Sequence, residues 1–230
     1  MRITKKKKKM EGLIDPDAFY SLEDSVDLLL KVPKAKFDET VEVSVKLGID
    51  TKMADQQVRG TVRLPHGTGK TIRIIVIAEG EDVKEALEAG AMEAGAGELL
   101  QKIEKGWLDF DCLITKPSMM KLLAKLGKIL GPRGLMPNPK SGTVTQDIPK
   151  AVKEMQAGRI EYRADKASDV HICAGKASFD KKAIVENIRV LIMELLKVKP
   201  SSAKGPYFKS IAVSTTMGPG IRLDVNQFKI

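Results

Sequence analysis

The sequence predicts an α/β protein in two parts: an antiparallel α+β domain assembled from both chain ends, and a parallel α/β domain inserted between them. Three observations predict it. Residues 40–47 alternate strictly between polar and apolar side chains, the mark of a strand with one wet face. Residues 72–78 form a near-continuous apolar run, as in a strand buried on both faces, with helical patterns after it. The charge balance changes where the strand pattern changes. From Met1 to Lys70 there are 14 basic and 11 acidic residues, from Thr71 to Gly158 12 of each, and from Arg159 to Ile230 13 and 7. The whole excess of +9 therefore lies in the two ends.

The elements follow in order. Ser21 and Asp24 resemble a capping box, opening a helix with Leu22, Val26, Leu29 and Leu30 on one face and Pro33 closing it. The alternating strand puts Val41, Val43, Val45 and Leu47 on one side and Thr40, Glu42, Ser44 and Lys46 on the other. Val58, Val62 and Leu64 suggest a second half-wet strand. After the apolar strand, helices are expected over 82–94 and 98–105, and a strand over 111–115. Ser118 is placed to cap a helix over 119–130; residues 131–142 read as a loop, and Pro149 starts a helix ending near Gly158. Strands alternating with helices imply βαβ units. The half-wet style then returns with Val170, Ile172 and Ala174 alternating with His171 and Cys173. Ser178 is placed to cap a helix carrying Ile184, Ile188, Leu191, Ile192 and Leu195 that stops before Pro200, and residues 208–216 alternate again. The domains are thus expected at 1–70 with 159–230, and at 71–158. Two connections between them permit hinge motion.

Composition narrows the function. Localised positive charge suits a polyanion, because Lys and Arg displace the counterions condensed on phosphates; a solubilising surface is the alternative. Cys112 and Cys173 are the only cysteines, both in apolar stretches, and read as buried reduced thiols rather than a disulfide. No stretch predicts a membrane span. His66 and His171 are the only histidines, and no His/Cys cluster has zinc spacing, so no metal, cofactor or catalytic set is expected. The Lys5–Lys9 run reads as a solvated tail, with a phosphate-seeking or targeting role as alternatives. His66-Gly67-Thr68-Gly69-Lys70-Thr71 invites a phosphate-loop reading, but the required first glycine would fall at Leu64, and the segment precedes a strand instead of opening a helix.

Two segments are rich in glycine and proline mixed with lysine and arginine: KLGKILGPRGLMPNPKSGTV from Lys125 and KPSSAKGPYFKSIAVSTTMGPGIRLD from Lys199. Loops without bulky side chains let backbone approach a sugar-phosphate chain closely, and small hydroxyl residues reach the RNA 2′-hydroxyl. The first segment closely resembles the signature of the bacterial large-subunit ribosomal protein conventionally numbered one, the protein of the mobile stalk beside the tRNA exit site. KGPYFKSIAVSTTMGPGIRLD resembles that family's C-terminal segment, and AKFDETVEVSVKLGID its N-terminal one. The resemblance runs from about Ala35 to Asp224, with the motifs in family order.

The resemblance implies a two-layer split α+β domain holding both termini, with an inserted three-layer Rossmann-like domain and the primary RNA contact on the terminal domain. Lys36, Phe37 and Thr40 match its first RNA-contact segment; Ser210, Thr216, Met217 and Gly218 match the second. Glu42, His171 and Lys176 fall near those segments and complete the candidate set. In these roles Lys36 meets phosphate, Phe37 lays a flat face on ribose or base, and Thr40, Ser210 and Thr216 bond 2′-hydroxyls. Met217 packs on the minor groove, and Gly218 gives the backbone close approach. The alternative for Phe37 is a core aromatic, and for the hydroxyl residues a plain wet strand. The function implied is that of a non-enzymatic, cytoplasmic component of the large ribosomal subunit. It binds stalk rRNA, assists release of deacylated exit-site tRNA, and represses its own operon mRNA, with no membrane partner and a monomeric free state. A nucleotide-binding α/β enzyme and a nonspecific basic RNA binder are the rival readings.

Overall fold

The computed structural model describes residues 13–15, 17–32 and 35–228; the Lys5–Lys9 run and Pro33 lie outside them. Contacts divide the chain into two compact units. One takes the residues up to Gly69 and those from Glu161 onward, the other Lys70–Ile160. The strands are β1 (Thr40–Leu47), β2 (Arg59–Arg63), β3 (Ile74–Ile77), β4 (Glu93–Gly95), β5 (Cys112–Thr115), β6 (Arg159–Arg163), β7 (Asp169–Lys176), β8 (Phe208–Thr215) and β9 (Ile221–Leu223). The helices are α1 (Leu22–Lys31), α2 (Glu81–Glu88), α3 (Gly97–Glu104), α4 (Met120–Leu123), α5 (Gly127–Leu130), α6 (Ile148–Gln156) and α7 (Lys181–Lys197). Among the described residues, no helix is long and apolar enough to cross a membrane. The mixture of antiparallel and parallel sheets with helices is an α/β fold.

In the terminal unit, α1 begins where Ser21 Oγ accepts the Asp24 N–H at 3.1 Å and donates to the Asp24 carboxylate at 2.6 Å. The main sheet has the order β7-β1-β8-β9, every pair antiparallel. Helix α7 packs on β7, α1 packs on β8 and β9, and the two helices pack on each other, so both cover the same face. Beneath them Val41, Val43, Val45, Val170, Ile172, Ile211, Val213, Ile221 and Leu223 are all buried. They meet Leu22, Val26 and Leu29 of α1 and Ile184, Ile188, Leu191, Ile192 and Leu195 of α7. The opposite face of the sheet carries the polar set. Strands β2 and β6 form a separate two-stranded sheet.

Two irregularities set which residues reach that polar face. Between Val41 and Glu42 the register with β7 skips a residue: Val41 faces Gly175, but Glu42 faces Cys173. The extra residue flips the side-chain parity of β7, so Lys176, which strict alternation would point at the core, stands opposite Thr40 on the open side. Gly175 makes this possible with φ +148°, where a Cβ would also press on the Phe179 ring. A second slip at Lys46/Leu47 leaves Lys209 unpaired in register and turns Phe208 into the core.

In the inserted unit the sheet is parallel, in the order β4-β3-β5, with a bridge from Thr115 to Val144 beyond β5. Ile74 and Val76 face Ala86 of α2 and Ile148, Val152 and Met155 of α6. Ile75 and Ile77 face Ile103 of α3 and Leu123, Leu126 and Leu130 of the segment with α4 and α5. All four β3 residues are buried, as a strand with helices on both sides requires.

Several local expectations are corrected. The helix expected over 82–94 stops at Glu88; Gly90 turns at φ +101°, and Glu93–Gly95 pairs with β3 as an edge strand. Helix 119–130 is broken into alternating 3-10 and α turns, and Ser118 lies inside the first of these without a capping bond. Ser178 does not cap α7: its N–H and hydroxyl both donate to Asp38, at 3.1 and 2.8 Å, and Asp180 takes the cap position. The two cysteines are not joined in a disulfide, each is half-buried rather than buried, and Cys173 sits on the open side of β7. The loop from His66 is tied down by Asn187, which accepts the His66 N–H at 3.2 Å and donates to Gly67 and Ala174 carbonyls at 3.1 and 2.8 Å. It leads into β3, as a turn does.

Candidate nucleic-acid interface

The antiparallel order brings three chain segments to one end of the main sheet: residues 35–40 entering β1, 176–178 leaving β7, and 215–218 leaving β8. They are joined by hydrogen bonds. The Thr216 N–H donates to the Thr40 carbonyl at 3.0 Å, and Thr216 Oγ1 accepts the Thr40 N–H at 3.0 Å. Lys176 Nζ donates to Thr40 Oγ1 at 2.9 Å. Beneath them Glu39, 1% exposed, accepts the Ala35 N–H at Oε1 (2.5 Å) and the Met217 N–H at Oε2 (3.2 Å), while its carbonyl accepts the Ala177 N–H at 2.8 Å.

Seven of the ten candidate residues meet there: Lys36, Phe37, Thr40, Lys176, Thr216, Met217 and Gly218. Phe37 is 54% exposed and Met217 58%, which removes the core-aromatic alternative for Phe37. Two large apolar side chains exposed at this junction, with Lys36 adjoining Phe37 in the chain, give it apolar faces and positive charge. Gly218 has a packing reason of its own, since a Cβ there would collide with Thr215 Oγ1. The Thr40 hydroxyl, already accepting from Lys176, keeps its own O–H to donate.

The other three candidates are strung along the open face. Glu42 is exposed, one row in, with Cys173 and Ser214 as its register partners. His171 lies a row further, its Nδ1 3.0 Å from Ser44 Oγ, with Ala212 on the other side of Ser44. Ser210 stands at the far end opposite Lys46. Lys46 is already engaged, donating to the Asp169 carboxylate at 3.0 Å and to the Ala167 carbonyl. The small residues Ser210, Ala212 and Ser214 leave the β8 side of this face low and accessible.

The sequence reading missed Glu39 and Asp38. Both look like ordinary surface acids in Phe-Asp-Glu-Thr, yet one is buried beneath the junction and the other holds Ser178. A sequence signal existed in the phase of β1: Glu39 has the odd parity of the buried Val41 and Val43.

Comparison with protein families places these observations. Residues 29–219 match the family model described as ribosomal protein L1p/L10e, a span that contains all ten candidates.

Proposed function

The chain belongs to the ribosomal protein L1p/L10e family, and on that premise we propose that the joined ends of β1, β7 and β8 hold the folded stalk of the large-subunit rRNA. Family membership makes it a large-subunit ribosomal protein that binds rRNA, located on the ribosome in the cytoplasm, from a family that is structural rather than enzymatic. The finer reading rests on one observation: Phe37 and Met217 are both exposed, on segments that hydrogen-bond to each other through Thr40–Thr216 and Glu39–Met217. In that reading Phe37 stacks on a ribose or base, and Met217 packs in the shallow minor groove. Thr40 and Thr216 bond 2′-hydroxyls, Lys36 and Lys176 meet phosphates, and Glu42, His171 and Ser210 lie along the open face beyond this grip.

The remaining partners follow in the same frame. The terminal unit grips the stalk while the inserted unit moves with it or against it, and the assembly engages and releases deacylated exit-site tRNA. A structure in the protein's own operon mRNA that imitates the stalk competes for the rRNA surface, so excess free protein represses its own synthesis.

Titration with a transcribed stalk rRNA fragment tests the reading. Thr216→Val and Met217→Ala should each weaken binding by about 1–3 kcal/mol, the scale of one good nucleic-acid contact, while deleting residues 1–10 should mainly reduce the salt dependence. Collapse of affinity on the deletion, with no effect of the two substitutions, leaves only nonspecific basic binding.

A further inference from the structure

Glu39 is the only Asp, Glu, Lys, Arg or His buried among the described residues, and its position gives it a task. Removing a carboxylate from water is costly unless every lone pair is well used. Here each oxygen points at a different backbone N–H: Oε1 at Ala35, two residues before Phe37, and Oε2 at Met217 itself. Glu39 thereby fastens from below both segments that carry the exposed apolar side chains, and its carbonyl fastens the segment after Lys176. An ionised carboxylate suits this position, because it offers two acceptor oxygens to two donors at charge-assisted strength. A glutamine of the same shape offers one oxygen and sets an NH2 against the other N–H. Segments not held in this way must be ordered when RNA binds, and that ordering subtracts from affinity.

We propose that Glu39 is the positioning residue of the rRNA surface, fixing Phe37 and Met217 in their binding arrangement before RNA arrives. The proposal rests on the rRNA reading above. Its test uses the full chain, a transcribed stalk rRNA fragment, and the variants E39Q, M217A and the double variant. E39Q should bind about ten- to a hundredfold more weakly, the equilibrium equivalent of losing one hydrogen bond to a charged group. In the M217A background the same change should cost distinctly less, because the residue it positions is gone. If M217A weakens binding but E39Q binds like the unaltered chain, the positioning role is wrong and the rRNA surface stands. If E39Q costs the same in both backgrounds, Glu39 is merely structural and the proposal falls. If M217A itself has no effect, the surface reading fails and takes this proposal with it. Should E39Q not fold, amide exchange in the free unaltered chain decides. Protection of the Ala35 and Met217 amides comparable with β1 supports the role, and exchange at the rate of open chain overturns it.

Discussion

In the inserted unit every residue of β3 is buried, whereas in the terminal unit every second residue of β1 is left outside the core. Both strands bury aliphatic side chains, and the difference lies in how many of their faces are covered. The parallel sheet has helices on both faces, so Ile74–Ile77 has no surface left to offer a partner. The antiparallel sheet has α1 and α7 on one face only, and the other is free for recognition. Charge follows the same division, since the covered unit is nearly neutral and the open one carries the excess. One unit uses its sheet as a core and the other as a core and a surface at once.

The sharpest way to break this comparison is to truncate β3. Ile75 is fully buried against the α3 side of the sheet, so Ile75→Ala should cost about 2–5 kcal/mol of stability, read by urea unfolding. The rRNA affinity of the folded fraction should stay within about twofold, because the two effects belong to separate units. A cost below about 1 kcal/mol would show that the strand is not packed on both faces as described.

Next in size is the bulge glycine. Gly175 holds φ +148°, and an added Cβ would meet Phe179 at 2.9 Å. Gly175→Ala should destabilise the terminal unit by about 1–3 kcal/mol. It should also weaken rRNA binding, since the bulge is what carries Lys176 to the open face beside Thr40. Unchanged affinity in the folded variant would separate Lys176 from the interface.

The acid and alkaline limbs of the stability profile each have a named group, one in each unit. In the inserted unit, the Lys70 ammonium at 2.7 Å and the Arg73 N–H at 3.1 Å hold the Asp111 carboxyl down to about 2. A lowered folded value contributes stability above the ordinary 3.8 and loses it as pH falls through about 2. In the terminal unit, burial pushes the Tyr207 and Tyr162 phenols up. A raised folded value leaves stability whole below the ordinary 10.0 and removes it as pH climbs past that toward the folded value. Asp111→Asn should therefore flatten the acid limb of the stability profile, and Tyr207→Phe the alkaline limb. Equal effects of both variants on both limbs would contradict the assignment.

Much of this contrast is legible in the sequence, because side-chain period reports burial directly. Alternation over Thr40–Leu47 and the unbroken run Ile74–Ile77 each name the number of covered faces. What escapes is whatever depends on a partner strand. Glu93–Gly95 is a strand only because β3 is beside it; nothing in Glu-Ala-Gly favours one. The bulge at Gly175 exists only as a register between β7 and β1, so the sequence could place Lys176 near the site but not on its face. Six of the seven clustered candidates lie in motifs that resemble a known family, and Lys176 was named only for falling near them. Their common support at Glu39 was legible only as a buried parity, because nothing in the sequence shows that the Ala35 and Met217 amides converge on its carboxylate.

The smallest expected effects lie along the middle of the open face, and they decide how far the RNA footprint extends. Ser44 and His171 share one hydrogen bond at 3.0 Å on an exposed stretch of the sheet, so Ser44→Ala should leave stability within about 0.5 kcal/mol. If rRNA is gripped at the strand ends, with Phe37 and Met217 as the apolar anchors, His171→Ala should cost no more than about 1 kcal/mol of binding, less than a direct contact. A loss as large as that from Met217→Ala would carry the footprint across the rows of Glu42 and Ser44 toward Ser210. The open face would then be the interface as a whole, with the joined strand ends as one border of it.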